Sequence, residues 1–128
     1  MSIQIVRLGS ERATGEGLRI GTVRRPPRGV PKARFAADNW YDTWLPELSP
    51  SWLLVKLGQN AATDAQWRVF SKRYAKEMSA PQASRVLDLL AALSRSANFS
   101  VGCYCADESR CHRSILRRLL KERGAKLR

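Results

Sequence analysis

The sequence predicts an α/β fold: a single domain over residues 1–128, with a small, largely parallel sheet flanked by helices. Three observations lead there. Apolar runs of strand length at 2–8, 18–23 and 99–105 are separated by segments with helical periodicity. The last of these strands runs directly into a helix. That strand is apolar on one face and only mildly polar on the other, as expected of an interior strand covered on both sides. Helices alternating with a few such strands build a layered α/β domain.

Taken in order, Ser2 to Leu8 sets Ile3 and Ile5 against Gln4, Val6 and Leu8 and reads as a strand. Ser10 to Gly17 is a polar connection. Leu18 to Val23 is a second strand, and it enters RRPPRGVPKAR, where Pro26, Pro27, Gly29 and Pro31 exclude regular structure and stiffen a basic loop. Phe35 to Leu45 is expected to be helical, with Trp40 and Trp44 stacked on one face as core. Ser49, Pro50 and Ser51 signal a helix start and Gly58 a stop, although WLLVKL alone also fits a strand. Thr63 to Gln66 matches a capping box, followed by Trp67, Phe70, Tyr74 and Met78 at helical spacing. Ser79 to Gln82 repeats the box, and Val86, Leu89, Leu90 and Leu93 are expected to form the next apolar face.

The stretch from Phe99 to Leu120 holds the chemically capable side chains. Phe99, Val101, Cys103 and Cys105 share one strand face, and Gly102 leaves room for a close backbone approach. Ala106 to Arg110 is a turn. Ser109 is the expected N-cap, which places Cys111, His112 and Arg113 in the first turn of a helix with the stripe Ile115, Leu116, Leu119 and Leu120, closed by Gly124. A helix start presents free N–H groups and positive potential, so it attracts anions and acidifies a thiol; Cys111 is therefore expected to be the most acidic and reactive thiol.

Composition adds bounds. Net charge is +12. Residues 1–34 carry eight Lys or Arg against two acids, residues 109–128 eight against one, and the stretch between them seven against eight. If the two ends converge, one face is strongly electropositive and suits a polyanionic partner. Aromatic residues are not interleaved with the basic ones, which disfavours a single-strand stacking platform. With three Cys, an odd number, and no long apolar run behind a basic start, the expectation is a cytoplasmic protein with reduced thiols and no membrane span.

Several motifs together resemble a known family. Cys105, Ala106 and Asp107, then Cys111, His112 and Arg113, are similar to the C-terminal signature of domain-of-unknown-function family 488, including its YeaO-like branch. Arg24, Pro27, Arg28 and Gly29 match its N-terminal arginine loop. Trp44, Leu45, Leu48, Pro50 and Ser51 match its Trp-Leu block, and Phe70, Arg73, Tyr74 and Glu77 a later motif. Val23, Arg25 and Pro26 depart from its usual pattern. The resemblance implies a short helix after Ser51 and a set of candidate residues; it implies no established reaction.

Cys103, Cys105, Cys111 and His112 are four metal-ligand types. Their spacing, one pair alternating on a strand and one adjacent on a helix about 100° apart, predicts no metal site. Cys111 and Arg117 satisfy the Cys-x5-Arg spacing of thiol phosphatases, but HRSIL should be helical rather than a phosphate-wrapping loop. His112, the one His, lies near the apolar stripe, where a hydrogen-bonded structural role competes with that of general acid or base. The reading is an anion site formed by Arg24, Arg28 and Arg113, with Cys111 and His112 as candidate catalytic residues, Cys105 and Asp107 in support, and no cofactor. Its partner would be a phosphorylated or acidic small molecule; the alternative is a non-catalytic basic module that binds nucleic acid. Whether the protein is an enzyme, and its oligomeric state, stay open at this stage.

Overall fold

The computed structural model describes residues 1–128. Four strands, β1 (Ile3–Arg7), β2 (Leu18–Gly21), β3 (Thr43–Trp44) and β4 (Phe99–Cys103), form one sheet in the order β1-β4-β2-β3, and every pairing is parallel. The helices are α1 (Trp52–Gln59), α2 (Asp64–Met78), α3 (Pro81–Leu93) and α4 (His112–Glu122). The α/β architecture with a parallel sheet is the one the sequence predicts. No helix is long and apolar enough to cross a membrane.

Strand β4 is central and buried at every position. Ile3, Ile5, Ile20, Phe99 and Val101 of the sheet pack with Phe70, Tyr74, Leu87, Leu90, Leu116 and Leu120 of the helices in the main core. The opposite face of β4 is covered by a polar clamp. Arg19, which is register partner to Ser100, is fully buried and donates to Glu16 at 2.7 and 3.0 Å, while the Ser100 hydroxyl donates to Glu16 at 2.6 Å. A second small cluster, Leu8, Val23, Tyr41, Cys103 and Cys111, sits beyond the main core. At Gly102 an added Cβ would lie 2.7 Å from Leu8 Cδ2 and 2.8 Å from the Val6 carbonyl oxygen, which is the close approach its place in the strand predicts.

Four local expectations are corrected. Residues 35–45 are not a helix: Asn39 takes a positive φ of 63°, and the Asp42 carboxylate accepts the Arg19 main-chain N–H at 2.7 Å, after which the chain enters edge strand β3. Trp40 and Trp44 therefore share no helix face; Trp40 meets Tyr104 edge-on at 5.8 Å, and Trp44 Nε1 donates to the Val23 carbonyl at 2.7 Å. Gly58 lies inside α1 rather than ending it, and a Cβ there would come within 2.9 Å of Phe70. Ser79 does not cap α3, whose N-cap is Ala80; its hydroxyl donates back to Lys76 at the end of α2. The inner face of α3 is Ala83, Leu87, Leu90 and Ala91, a regular helical stripe, with Leu89 and Leu93 left exposed. The Thr63–Gln66 capping box and the helix start at Ser51 are present as read.

Candidate functional site

Because Gly21 of β2 pairs with Gly102 of β4, the loop after β2 and the turn after β4 leave the same edge of the sheet side by side. Between them and the α1–α2 pair lies a cavity of about 540 Å³. Arg24, Arg25 and Arg28 of the loop line it, with Trp52 and Lys56 of α1, Trp67 of α2, and Arg110. Cys103, Cys105, Cys111 and His112 line it as well, whereas no Asp or Glu does.

The loop is held from two sides. The Arg24 guanidinium donates to the Pro50 and Ser49 carbonyls, both at 3.1 Å, and fastens the loop to the start of α1. The Tyr104 hydroxyl donates to the Arg25 carbonyl at 2.7 Å and fastens it to the end of β4. Arg25 lies over the Trp52 ring, 4.3 Å from its centroid, and Arg110 lies over Trp67 and pairs with Asp64. None of the ion pairs of the protein involves Arg24, Arg25, Arg28 or Lys56.

The turn after β4 is fixed by Asp107, whose carboxylate accepts the Ser109 N–H and hydroxyl at 3.0 and 2.7 Å; these bonds hold its pKa low. A short 3-10 turn, Glu108–Arg110, follows. The N-cap of α4 is Cys111 in an extended conformation (φ −132°, ψ 152°), and not Ser109. Arg117 is on α4 and bonded to Glu108, so the residues between Cys111 and Arg117 form no phosphate-wrapping loop.

His112 is 5% exposed, with Nε2 2.8 Å from the Thr22 carbonyl oxygen and 3.1 Å from its hydroxyl. A carbonyl only accepts, so Nε2 carries a proton, and Nδ1 faces Cys111 Sγ at 3.8 Å. Cys103 and Cys105 place their sulfurs 3.7 Å apart. Donation from Cys103, then from Cys111, holds the Cys105 thiol well below its usual range, helped by the Arg113 charge, while the bond to Cys105 pushes Cys103 far up. Cys111 is lowered as well, chiefly by Cys103. Cys105 and Cys111 are thus acidified and Cys103 is not. Cys105 is exposed and Cys111 only 2% exposed, so the expectation that Cys111 is the most reactive thiol reverses.

Arg24 and Arg28 thus come together with Cys105, Cys111 and His112, but Arg113 does not reach the cavity wall. It is 3% exposed and donates to the Cys105 carbonyl at 2.6 Å and to Cys111 Sγ at 3.4 Å, clamping the turn from behind. Sequence reasoning missed Arg25, Trp52, Lys56 and Trp67. Trp67 sits at core spacing on α2, and nothing in a helix pattern reveals that its neighbour across the fold is an arginine. The expected separation of the ligand-type side chains also fails for three of the four. The donor atoms of Cys103, Cys111 and His112 lie within 4.8 Å of one another, because Cys111 is extended and its side chain escapes the helical rotation. Such a group can serve as a thiol with its adjoining base, or as a metal-ligand set, but not both at once, since both use the same lone pairs.

The family model described as DUF488-N3a, "Active DUF488-N3 subclade", matches residues 3–124 and so spans both the arginine loop and the Cys-His-Arg helix start. No curated protein and no solved structure matches the chain. With the match covering nearly the whole sequence and both of its motifs, the chain belongs to domain-of-unknown-function family 488.

Proposed function

We propose that the cavity binds a phosphorylated or otherwise acidic small molecule. Its charge carries the reading: five cationic side chains line it and no carboxylate does. A concave wall of one sign focuses potential and raises the local anion concentration. Its volume of about 540 Å³ suits a small ligand. Arg28 has no hydrogen-bond partner in the protein, so its donors are free for a phosphate or carboxylate. Arg24 acts as a fixed charge, and Trp52 and Trp67 offer apolar surface to the rest of the ligand. Cys105, Cys111 and His112 lie at the floor, beneath the bound anion.

The test is calorimetric titration with nucleotides, sugar phosphates and dicarboxylates. A charge-assisted hydrogen bond contributes about 1.5–3 kcal/mol, so Arg28→Ala weakens binding about tenfold or more. Arg95→Ala changes little, since Arg95 lies outside the cavity and donates to the Gly124 carbonyl. Equal effects of the two variants would sink the reading. The crowding of basic residues into the two ends favours a second one, a nucleic-acid module. Affinity for oligonucleotides that falls steeply with salt supports that reading; a shallow dependence supports a pocket contacting a single phosphate.

A further inference from the structure

We propose that Cys103, Cys105, Cys111 and the Nδ1 atom of His112 bind one zinc ion at the base of the cavity. The proposal uses residues of the same cavity but does not depend on anion binding. Donor atoms of Cys103, Cys111 and His112, all three buried, lie within 4.8 Å of one another; Cys105 is outside that group, with its Sγ 3.7 Å from Cys103 Sγ, and would close on the ion as the fourth ligand. Tetrahedral zinc with bonds to sulfur of about 2.3 Å has sulfur-sulfur edges of about 3.8 Å. Three sulfurs and one imidazole form a soft set that favours zinc over the oxygen-seeking cations.

Two further features suit a metal. Histidines that ligate metals usually donate their other ring N–H to a carbonyl or carboxylate, which fixes tautomer and ring plane. His112 does this through Nε2 to the Thr22 carbonyl at 2.8 Å, with Nδ1 turned toward Cys111. The second feature is charge. Arg113 is a buried cation with no carboxylate partner, and its Nε donates to Cys111 Sγ at 3.4 Å. A buried cation needs a counter-charge, and the groups Arg113 faces are the cysteine sulfurs. Zinc with three thiolates and a neutral imidazole carries one net negative charge, which Arg113 neutralises. Binding is a ligand exchange without redox: four bonds to the ion form, its bound waters leave, and the protons still on the cysteines pass to solvent.

The experiment titrates reduced, metal-stripped protein with Co²⁺ and then with Zn²⁺, followed by absorbance. The expected result is one equivalent of cobalt with intense tetrahedral visible bands and a sulfur-to-cobalt charge-transfer band, both abolished by one equivalent of zinc. Cys105→Ser, checked for folding by circular dichroism, should retain cobalt but lose about one third of the charge-transfer intensity, as three thiolates become two. Arg28→Ala should leave the spectrum unchanged, which separates this proposal from the anion reading. A pale octahedral spectrum in folded wild-type protein would overturn the site, and an unaltered charge-transfer band in Cys105→Ser would remove Cys105 from it.

Discussion

The Tyr104 hydroxyl donates a hydrogen bond to the main-chain carbonyl of Arg25 at 2.7 Å, joining the end of β4 to the arginine loop across 79 positions. Tyr104→Phe deletes that tie and little else, at a cost of about 1 kcal/mol. The expected outcome is faster amide exchange over residues 24–29 and weaker anion binding, with the urea midpoint only slightly lowered. Unchanged exchange in the loop would show that Arg24, through Ser49 and Pro50, holds it alone.

The Glu16–Arg19 clamp should dominate the acid limb of stability. Burial raises the Glu16 pKa, but the bonds from Arg19 and Ser100 overcome it and leave the group at about 2, against an ordinary 4.5. A lowered folded pKa stabilises the fold fully above the unfolded value. Stability is then lost as pH falls from about 4.5 toward about 2. Glu16→Gln leaves a buried guanidinium without its counter-charge and should cost about 3–5 kcal/mol while flattening the pH dependence in that window. Urea melts at a series of acidic pH values check both statements.

In reduced protein stripped of metal, iodoacetamide should modify Cys105 first, well before the buried Cys103 and Cys111. Cys105 is the exposed thiol and its pKa is lowered, while Cys103 and Cys111 are buried. Peptide mapping at short labelling times gives the order. Early modification of Cys111 would mean that the turn at 106–110 opens readily.

Gly102→Ala should destabilise by about 1–3 kcal/mol, the usual cost of overpacking. The added Cβ meets the Val6 carbonyl oxygen at 2.8 Å, and that atom belongs to a paired strand and cannot swing aside. Chemical denaturation is a sufficient test. A loss below about 0.5 kcal/mol would show that β1 can shift, and the close approach would lose its significance.

The parts of this protein legible in its sequence are those written in local chemistry. The Thr63 capping box, the stripe of α4 and the alternation of β4 each depend on near neighbours, and each was readable. The helix expected at 35–45 failed because the tryptophan spacing outweighed Asn39 and Asp42, whose conformation is set by Arg19 and Arg12 from an earlier part of the chain. The buried face of α3 departs from its leucine spacing because Ala83 and Ala91 pack inward. Convergence of Arg24 and Arg28 on the cysteine turn followed from the parallel-sheet rule, but the direction of Arg113 did not. The N-cap lies at Cys111, two residues beyond Ser109, and Arg113 faces the back of the turn.

The place of β4 at the centre of the sheet also governs when the molecule can become itself. Strands β1 and β2 are not bonded to each other; each pairs with β4, which the ribosome delivers after most of the chain. Until then both strands have unpaired edges open to non-native partners, and Thr22 has no His112 to receive, 90 positions later. Such long-range pairing slows folding. Sheet closure and completion of the cavity floor therefore both wait on residues 99–112. A nascent chain stalled before residue 99 should behave as a loose helical intermediate that engages chaperones and binds no ligand.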